Sequence, residues 1–115
     1  MRDYSLYLED ILGAIKAIEG FVKGMEYEDF EADDKTSSAV INKLEIIGEA
    51  AKKIPGSIKS QYANVPWRDI EGMRNKLIHE YFGVVLSVVW ETIKEDLPAL
   101  RDAINIIAKE TQEKI

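Results

Sequence analysis

From Tyr4 the apolar residues fall at Tyr4, Leu8, Ile11, Ile15, Ile18 and Val22, in steps of four, three, four, three and four. A helix turns once every 3.6 residues, so this alternation keeps all six on one stripe of an amphipathic helix. Lys23-Gly24 ends it. A second stripe, Val40, Leu44, Ile47, Ala51 and Ile54, steps the same way, with Asp33 or Asp34 placed to cap its start and Pro55-Gly56 to stop it. Ser37, Ser38, Ala39, Gly48, Ala50 and Ala51 are small enough to let a neighbouring helix come close. Two long helices with narrow stripes, joined by a connector of about ten residues, pack as an antiparallel pair. Within that connector six of the nine residues from Glu26 to Asp34 are acidic. They lack the alternating ligand spacing and turn glycine of a calcium loop, so the stretch reads as a solvated link.

The segment from Ser57 to Val65 is too polar and short for more than a turn of helix and a loop. Pro66-Trp67 then opens a third helix with Ile70, Met73 and Leu77 facing inward. Phe82-Gly83 breaks the pattern, and a last stripe runs through Leu86, Trp90, Ile93, Leu97, Leu100, Ile104 and Ile107. Pro98 interrupts it, predicting a kink or a restart, because proline removes a helical hydrogen bond and clashes with the preceding turn. No strand alternation, internal repeat or low-complexity tract is present. The pattern predicts an all-α protein, an up-and-down bundle of four to five helices forming one domain over residues 1–115.

Length changes this picture little, since 115 residues suffice for one apolar core. The absence of cysteine excludes disulfides, thiolate nucleophiles and cysteine zinc sites. No apolar run approaches the roughly 20 residues of a membrane helix, and the N-terminus lacks an apolar signal core, so a soluble, cytoplasmic protein without a membrane partner is expected. The net charge of −6 argues against a broad phosphate-binding surface. Its distribution is uneven. Lys52, Lys53, Lys59, Arg68, Arg74 and Lys76 face only Asp69 and Glu71 between positions 52 and 76, a local balance of +4 on a body that otherwise carries −10. Such a segment either admits one anionic strand or is scatter on solvated helix faces.

The one histidine, His79, lies in Met73-Arg74-Asn75-Lys76-Leu77-Ile78-His79-Glu80-Tyr81. A histidine near a helix end often caps carbonyls, and an arginine often pairs with the previous turn. The same residues also supply a fixed cation, a group that exchanges protons near neutral pH, and a hydroxyl. With an RNA phosphodiester, histidine moves protons at the 2′-hydroxyl or the leaving 5′-oxygen, while arginine offsets charge on the phosphoryl oxygens. On a regular helix Arg74 and Tyr81 project almost together, whereas His79 lies about 140° from Arg74. Either the helix loosens near His79, or a site combines residues from two copies.

The spacing Arg74-x4-His79-x-Tyr81 resembles the Arg-x4-His-x-Tyr signature of the HepT toxins, in the HEPN (higher eukaryotes and prokaryotes nucleotide-binding) superfamily. Asn75, the segment Leu44-Glu45-Ile46-Ile47-Gly48-Glu49-Ala50-Ala51-Lys52-Lys53-Ile54-Pro55 and the segment Pro66-Trp67-Arg68-Asp69-Ile70 extend the resemblance over nearly the whole chain. It implies a HEPN-like helical bundle and a metal-independent endoribonuclease that needs no cofactor, the toxin of a type VII toxin–antitoxin module. Carried over by position, Arg74 and His79 are catalytic, Asn75 supports them, and Tyr81 accepts AMP from a minimal nucleotidyltransferase antitoxin, often called MntA. The family's homodimers, with facing motifs in a shared cleft, would reconcile the divergence of Arg74 and His79. The competing class is a non-catalytic helical partner or substrate-binding subunit of a nucleotidyltransferase. Members of that kind usually lack the arginine–histidine pair.

Overall fold

Asp3 opens the first helix by accepting a hydrogen bond from the Ser5 N–H at 2.9 Å, which satisfies one of the amides a helix start leaves unpaired. The structure, a computed structural model, describes residues 3–72 and 86–113. Helix α1 (Tyr4–Phe21) buries Leu8, Ile11, Ala14, Ile15 and Ile18, the stripe the spacing predicts. Gly24 follows at φ +78°, a left-handed conformation that a Cβ would strain, and turns the chain.

The acidic connector is not a solvated link. Residues Tyr27–Ala32 form helix α2, closed by a capping box in which Glu26 takes the Asp29 N–H and the Asp29 carboxylate takes the Glu26 N–H. Tyr27 and Phe30 are three apart on this helix and so share a face, and Phe30 is fully buried. The carboxylates point outward at the helix start, where the peptide dipoles favour negative charge.

Asp33 caps helix α3 (Asp34–Lys52), accepting from the Thr36 N–H at 3.0 Å and the Thr36 hydroxyl at 2.8 Å. The Thr36 N–H, and then its hydroxyl, hold the Asp33 carboxyl below its usual range. Val40, Leu44, Ile47 and Ala51 are buried against α1, with Ser37, Gly48 and Ala50 also inside, so the small residues do permit close approach. Lys53, just past the end of α3, lies over the ring of Tyr7 near the start of α1, so the two helices run antiparallel. Each fully buried leucine or isoleucine of this seam contributes about 1.5–3 kcal/mol relative to exposure.

Helix α4 (Gly56–Gln61) begins one residue before the Ser57–Val65 segment and runs about a turn and a half, somewhat more than the turn its polarity suggests. Residues 67–72 are helical (α5), with Val65, Trp67 and Ile70 buried. Met73, Leu77, Phe82 and Gly83 lie outside the described residues.

The last third is one helical run with a defect. Helix α6 (Leu86–Glu91) passes into a π-helical turn (Thr92–Asp96) and then helix α7 (Leu97–Glu113). The Leu97 N–H bonds the Thr92 carbonyl five residues back, and the Thr92 hydroxyl donates to the Val88 carbonyl at 3.0 Å. The widened turn stands just before Pro98, whose ring would otherwise meet the carbonyl four residues back. It also slips the register. Val89 is buried, while Leu86 and Trp90, expected inside, are only partly covered; Ile93, Leu97, Leu100, Ile104 and Ile107 are buried as their spacing predicts. Arg101 Nη1 reaches Glu19 Oε2 at 2.6 Å and the Tyr4 hydroxyl meets Thr111 Oγ1 at 3.1 Å, so α7 is antiparallel to α1. Among the described residues there is no strand, and no helix is long and apolar enough to cross a membrane.

Candidate active site

Arg74, Asn75, His79 and Tyr81 lie outside the described residues. What the structure describes is how the chain on either side of them is fixed. On the N-terminal side, Trp67 donates its indole N–H to the Tyr62 carbonyl at 3.1 Å while its ring is buried. Both ends of an amphipathic side chain are thereby satisfied. Lys59 of α4 pairs with Glu71 of α5, each about three quarters or more covered. One cation of the basic segment is therefore neutralised, whereas Lys52, Lys53 and Arg68 are exposed.

On the C-terminal side the anchor is aromatic. The Trp90 ring lies 5.2 Å from Phe30 and 6.2 Å from Tyr27, both tilted, and the Lys94 ammonium stands 4.6 Å from the Trp90 ring centroid on the π-helical turn. Tilted pairs at this separation are favourable beyond their buried area, and a cation over an indole adds to them. Helix α2, which the residue pattern reads as a link, thus holds the helix that follows the motif. The Tyr27 hydroxyl donates to Glu31 at 2.9 Å, and this bond to a carboxylate raises the phenol above its usual pKa.

The described polar groups also gather in one place that the pattern of residues does not announce. Tyr7 and Asp10 of α1, Ile46, Glu49 and Ala50 of α3, and Lys53 line a shallow depression of about 190 Å³. Each lies one position before a buried residue: Tyr7 before Leu8, Asp10 before Ile11, Ile46 before Ile47, Ala50 before Ala51, Lys53 before Ile54. One residue is a 100° rotation, so both helices turn the same flank toward a common groove beside their seam. That shared offset is the signal by which the groove is legible in the sequence. Tyr7, Asp10 and Glu49 each have an interaction partner. Among the described residues no group of histidine and carboxylate side chains is arranged to hold a metal ion.

The family model described as "Ribonuclease HepT-like" matches residues 11–107, a span that includes the whole of Arg74–Tyr81 and both anchors. The chain belongs to the ribonuclease HepT-like family. Its relatives in this family cover it almost end to end. A protein of Thermococcus cleftensis named "Probable ribonuclease HepT" is 52% identical over 100 residues, 87% of this chain and 91% of the relative. Two others, each provisionally named an RNase, are similar over comparable lengths. One from Methanocaldococcus jannaschii is 44% identical over 98% of this chain and 97% of its own, and one from Caldanaerobacter subterraneus subsp. tengcongensis is 45% identical over 90% and 94%. No solved structure matches the chain. The all-α bundle is the fold that membership in the HepT-like family, within the HEPN superfamily, leads one to expect.

Proposed function

We propose that this chain is a metal-independent endoribonuclease, the toxin of a two-gene toxin–antitoxin module. The observation that carries the reading is the Arg74-x4-His79-x-Tyr81 spacing inside a stretch that matches the ribonuclease HepT-like family. The names of the relatives, one ribonuclease HepT and several RNases, support it. In the reaction the 2′-oxygen bonds to phosphorus as the bond to the 5′-oxygen breaks, leaving a 2′,3′-cyclic phosphate and a free 5′-hydroxyl. The 2′-hydroxyl gives up one proton and the 5′-oxygen gains one, and His79 is the group suited to such transfers near neutral pH. Arg74 offsets the charge that builds on the non-bridging oxygens, and Asn75 supports the pair.

Two further elements belong to the same reading. The site is assembled across a homodimer, because Arg74 and His79 diverge on one regular helix. Control is by a minimal nucleotidyltransferase that moves AMP from ATP to Tyr81, forming a bond from the phenolic oxygen to the α-phosphorus and releasing pyrophosphate. An AMP group there carries a phosphate that competes with RNA for Arg74.

Incubating purified wild-type and His79→Ala protein with total RNA in excess chelator tests the activity. Wild type should cut, and the variant should be slower by roughly 10²- to 10⁴-fold. Equal cutting by a folded His79→Ala protein overturns the assignment of His79, and no cutting by wild type overturns the ribonuclease reading.

A further inference from the structure

The α1–α3 depression combines features that a chain built only for packing does not require. Its volume of about 190 Å³ lies below the roughly 300 Å³ at which pockets begin to hold drug-sized molecules, so it takes one flat ring system and no more. One wall is apolar, from Ile46 and Ala50, and Ile46 is 37% exposed midway along α3. The Tyr7 ring is half-buried and adjoins this wall, while the Lys53 ammonium stands 5.9 Å from the ring centroid and is open to solvent. Asp10 and Glu49 add two carboxylates.

We propose that this depression is a base-binding subsite for single-stranded RNA, selective for guanine, with Tyr7 stacking the base, Lys53 holding its phosphate, and Asp10 reading its edge. The proposal rests on the ribonuclease reading for its choice of RNA as ligand. Single-stranded RNA is bound by aromatic faces that stack bases beside cations that track the backbone, and Tyr7 with Lys53 supplies one such step. The carboxylates decide which part of the nucleotide enters. They repel a phosphate from the groove, so the anion stays at the rim with Lys53 and the base goes in. They also rank the bases. Guanine presents N1–H and the N2 amino group side by side, two donors that match the two oxygens of one carboxylate, whereas uracil flanks its single N–H with carbonyl oxygens that face the carboxylate unfavourably. A carboxylate has about four acceptor positions, so the partner Asp10 already has does not close it to a base, whereas Glu49 Oε2 is fully buried and Glu49 adds only its charge.

The test uses fluorescence anisotropy with two fluorescein-labelled ten-nucleotide RNAs, one all uridine and one with a single central guanosine, and full-length protein carrying His79→Ala so that the probes survive. The guanosine probe should bind about tenfold more tightly. Tyr7→Ala should weaken both probes by roughly 5- to 100-fold, the range for losing one base–aromatic stack. Asp10→Asn should abolish the guanosine preference without weakening the all-uridine probe. Lys53→Ala should reduce the slope of log affinity against log salt by about 0.7, a change that a purely structural residue would not produce. Asp10→Asn is isosteric and Lys53 is exposed, so these two decide the matter even if Tyr7→Ala does not fold. Equal affinity for the two probes, or parental affinity, preference and salt slope in the Asp10→Asn and Lys53→Ala proteins, overturns the subsite. If wild type cuts total RNA while those variants bind as the parent does, the subsite alone fails. If the preference is present and lost on substitution in a protein that never cuts, the ribonuclease reading alone fails.

Discussion

Replacing Phe30 with alanine asks whether the acidic segment is a link or a structural element. The side chain is fully buried and its ring packs 5.2 Å from Trp90. Truncating a buried phenylalanine costs about 3–5 kcal/mol, and the tilted aromatic pair accounts for about 0.5–1.5 of interaction beyond its area. A loss of about 4 kcal/mol is a large part of the 5–15 kcal/mol typical of a whole domain. With a urea dependence of about 1.5 kcal/mol per molar, the unfolding midpoint should fall by roughly 2–3 M. Chemical denaturation followed by far-ultraviolet circular dichroism reads this directly. A double-mutant cycle with Trp90→Leu should return a coupling of about 0.5–1.5 kcal/mol, isolating the ring contact from general burial. A midpoint shift below about 0.5 M would refute the argument and restore the solvated link. Because Trp90 lies on the helix that follows the motif, the milder Phe30→Leu should lower RNA cleavage in protein that remains folded.

The Asp33 carboxyl is held low by Thr36, so it adds stability above its unfolded pKa near 3.8 and loses that contribution as pH falls through the lower folded value. Asp33→Ala should therefore melt a few degrees below wild type at neutral pH, with the gap closing as pH falls below 3.8 through the lower folded value; a gap independent of pH would remove the capping argument. Mixing Arg74→Ala and His79→Ala chains should restore part of the cleavage through dimers holding one intact composite site, and verified mixed dimers as inactive as either parent would place each site within one chain. Tyr81→Phe should retain toxicity yet escape neutralisation by a co-expressed nucleotidyltransferase, with intact-mass spectrometry showing AMP on wild type only; equal modification of both would deny Tyr81 its role.

The long helices were legible because period and burial coincide there: every apolar residue of the α3 stripe is buried, as are all of the α1 stripe except the half-covered Tyr4. Helix α2 was not, because six carboxylates in nine residues outweigh two aromatics in any compositional reading. The physical signal was present in the i, i+3 spacing of Tyr27 and Phe30 and in Glu26 and Asp29 at capping-box distance, where acidic residues favour a helix start. Pro98 correctly marked a disturbance, but the form it takes, a widened turn upstream with Val89 rotated inside, depends on packing that periodicity alone does not contain. The motif Arg74–Tyr81 was read from its order and spacing, and those positions lie outside the described residues. No residue of the groove beside the seam announces it, since each is ordinary alone; the common 100° offset on two antiparallel helices is what joins them.

The charges of this acidic chain are unevenly placed along α3. The acidic helix α2 and Asp33 stand at the N-terminal end of α3, and Lys52 and Lys53 stand at the other. Both placements suit the helix dipole, so this separation of charge has a sufficient structural cause before any ligand is considered. Lys52 lies in the last turn of α3, where a cation suits the negative end of the helix dipole, and that is reason enough for its position. Lys53 differs, since its backbone N–H already closes the helix through the Ala50 and Ala51 carbonyls while its ammonium lies over Tyr7. The dipole explains a cation near this point of the chain and not one above an aromatic ring. A cation over a tyrosine ring is stabilising in itself, as at Lys94 and Trp90, so Lys53 has a structural role before any ligand, and the proposed subsite adds only that RNA would enter at this cationic end rather than along the acidic surface.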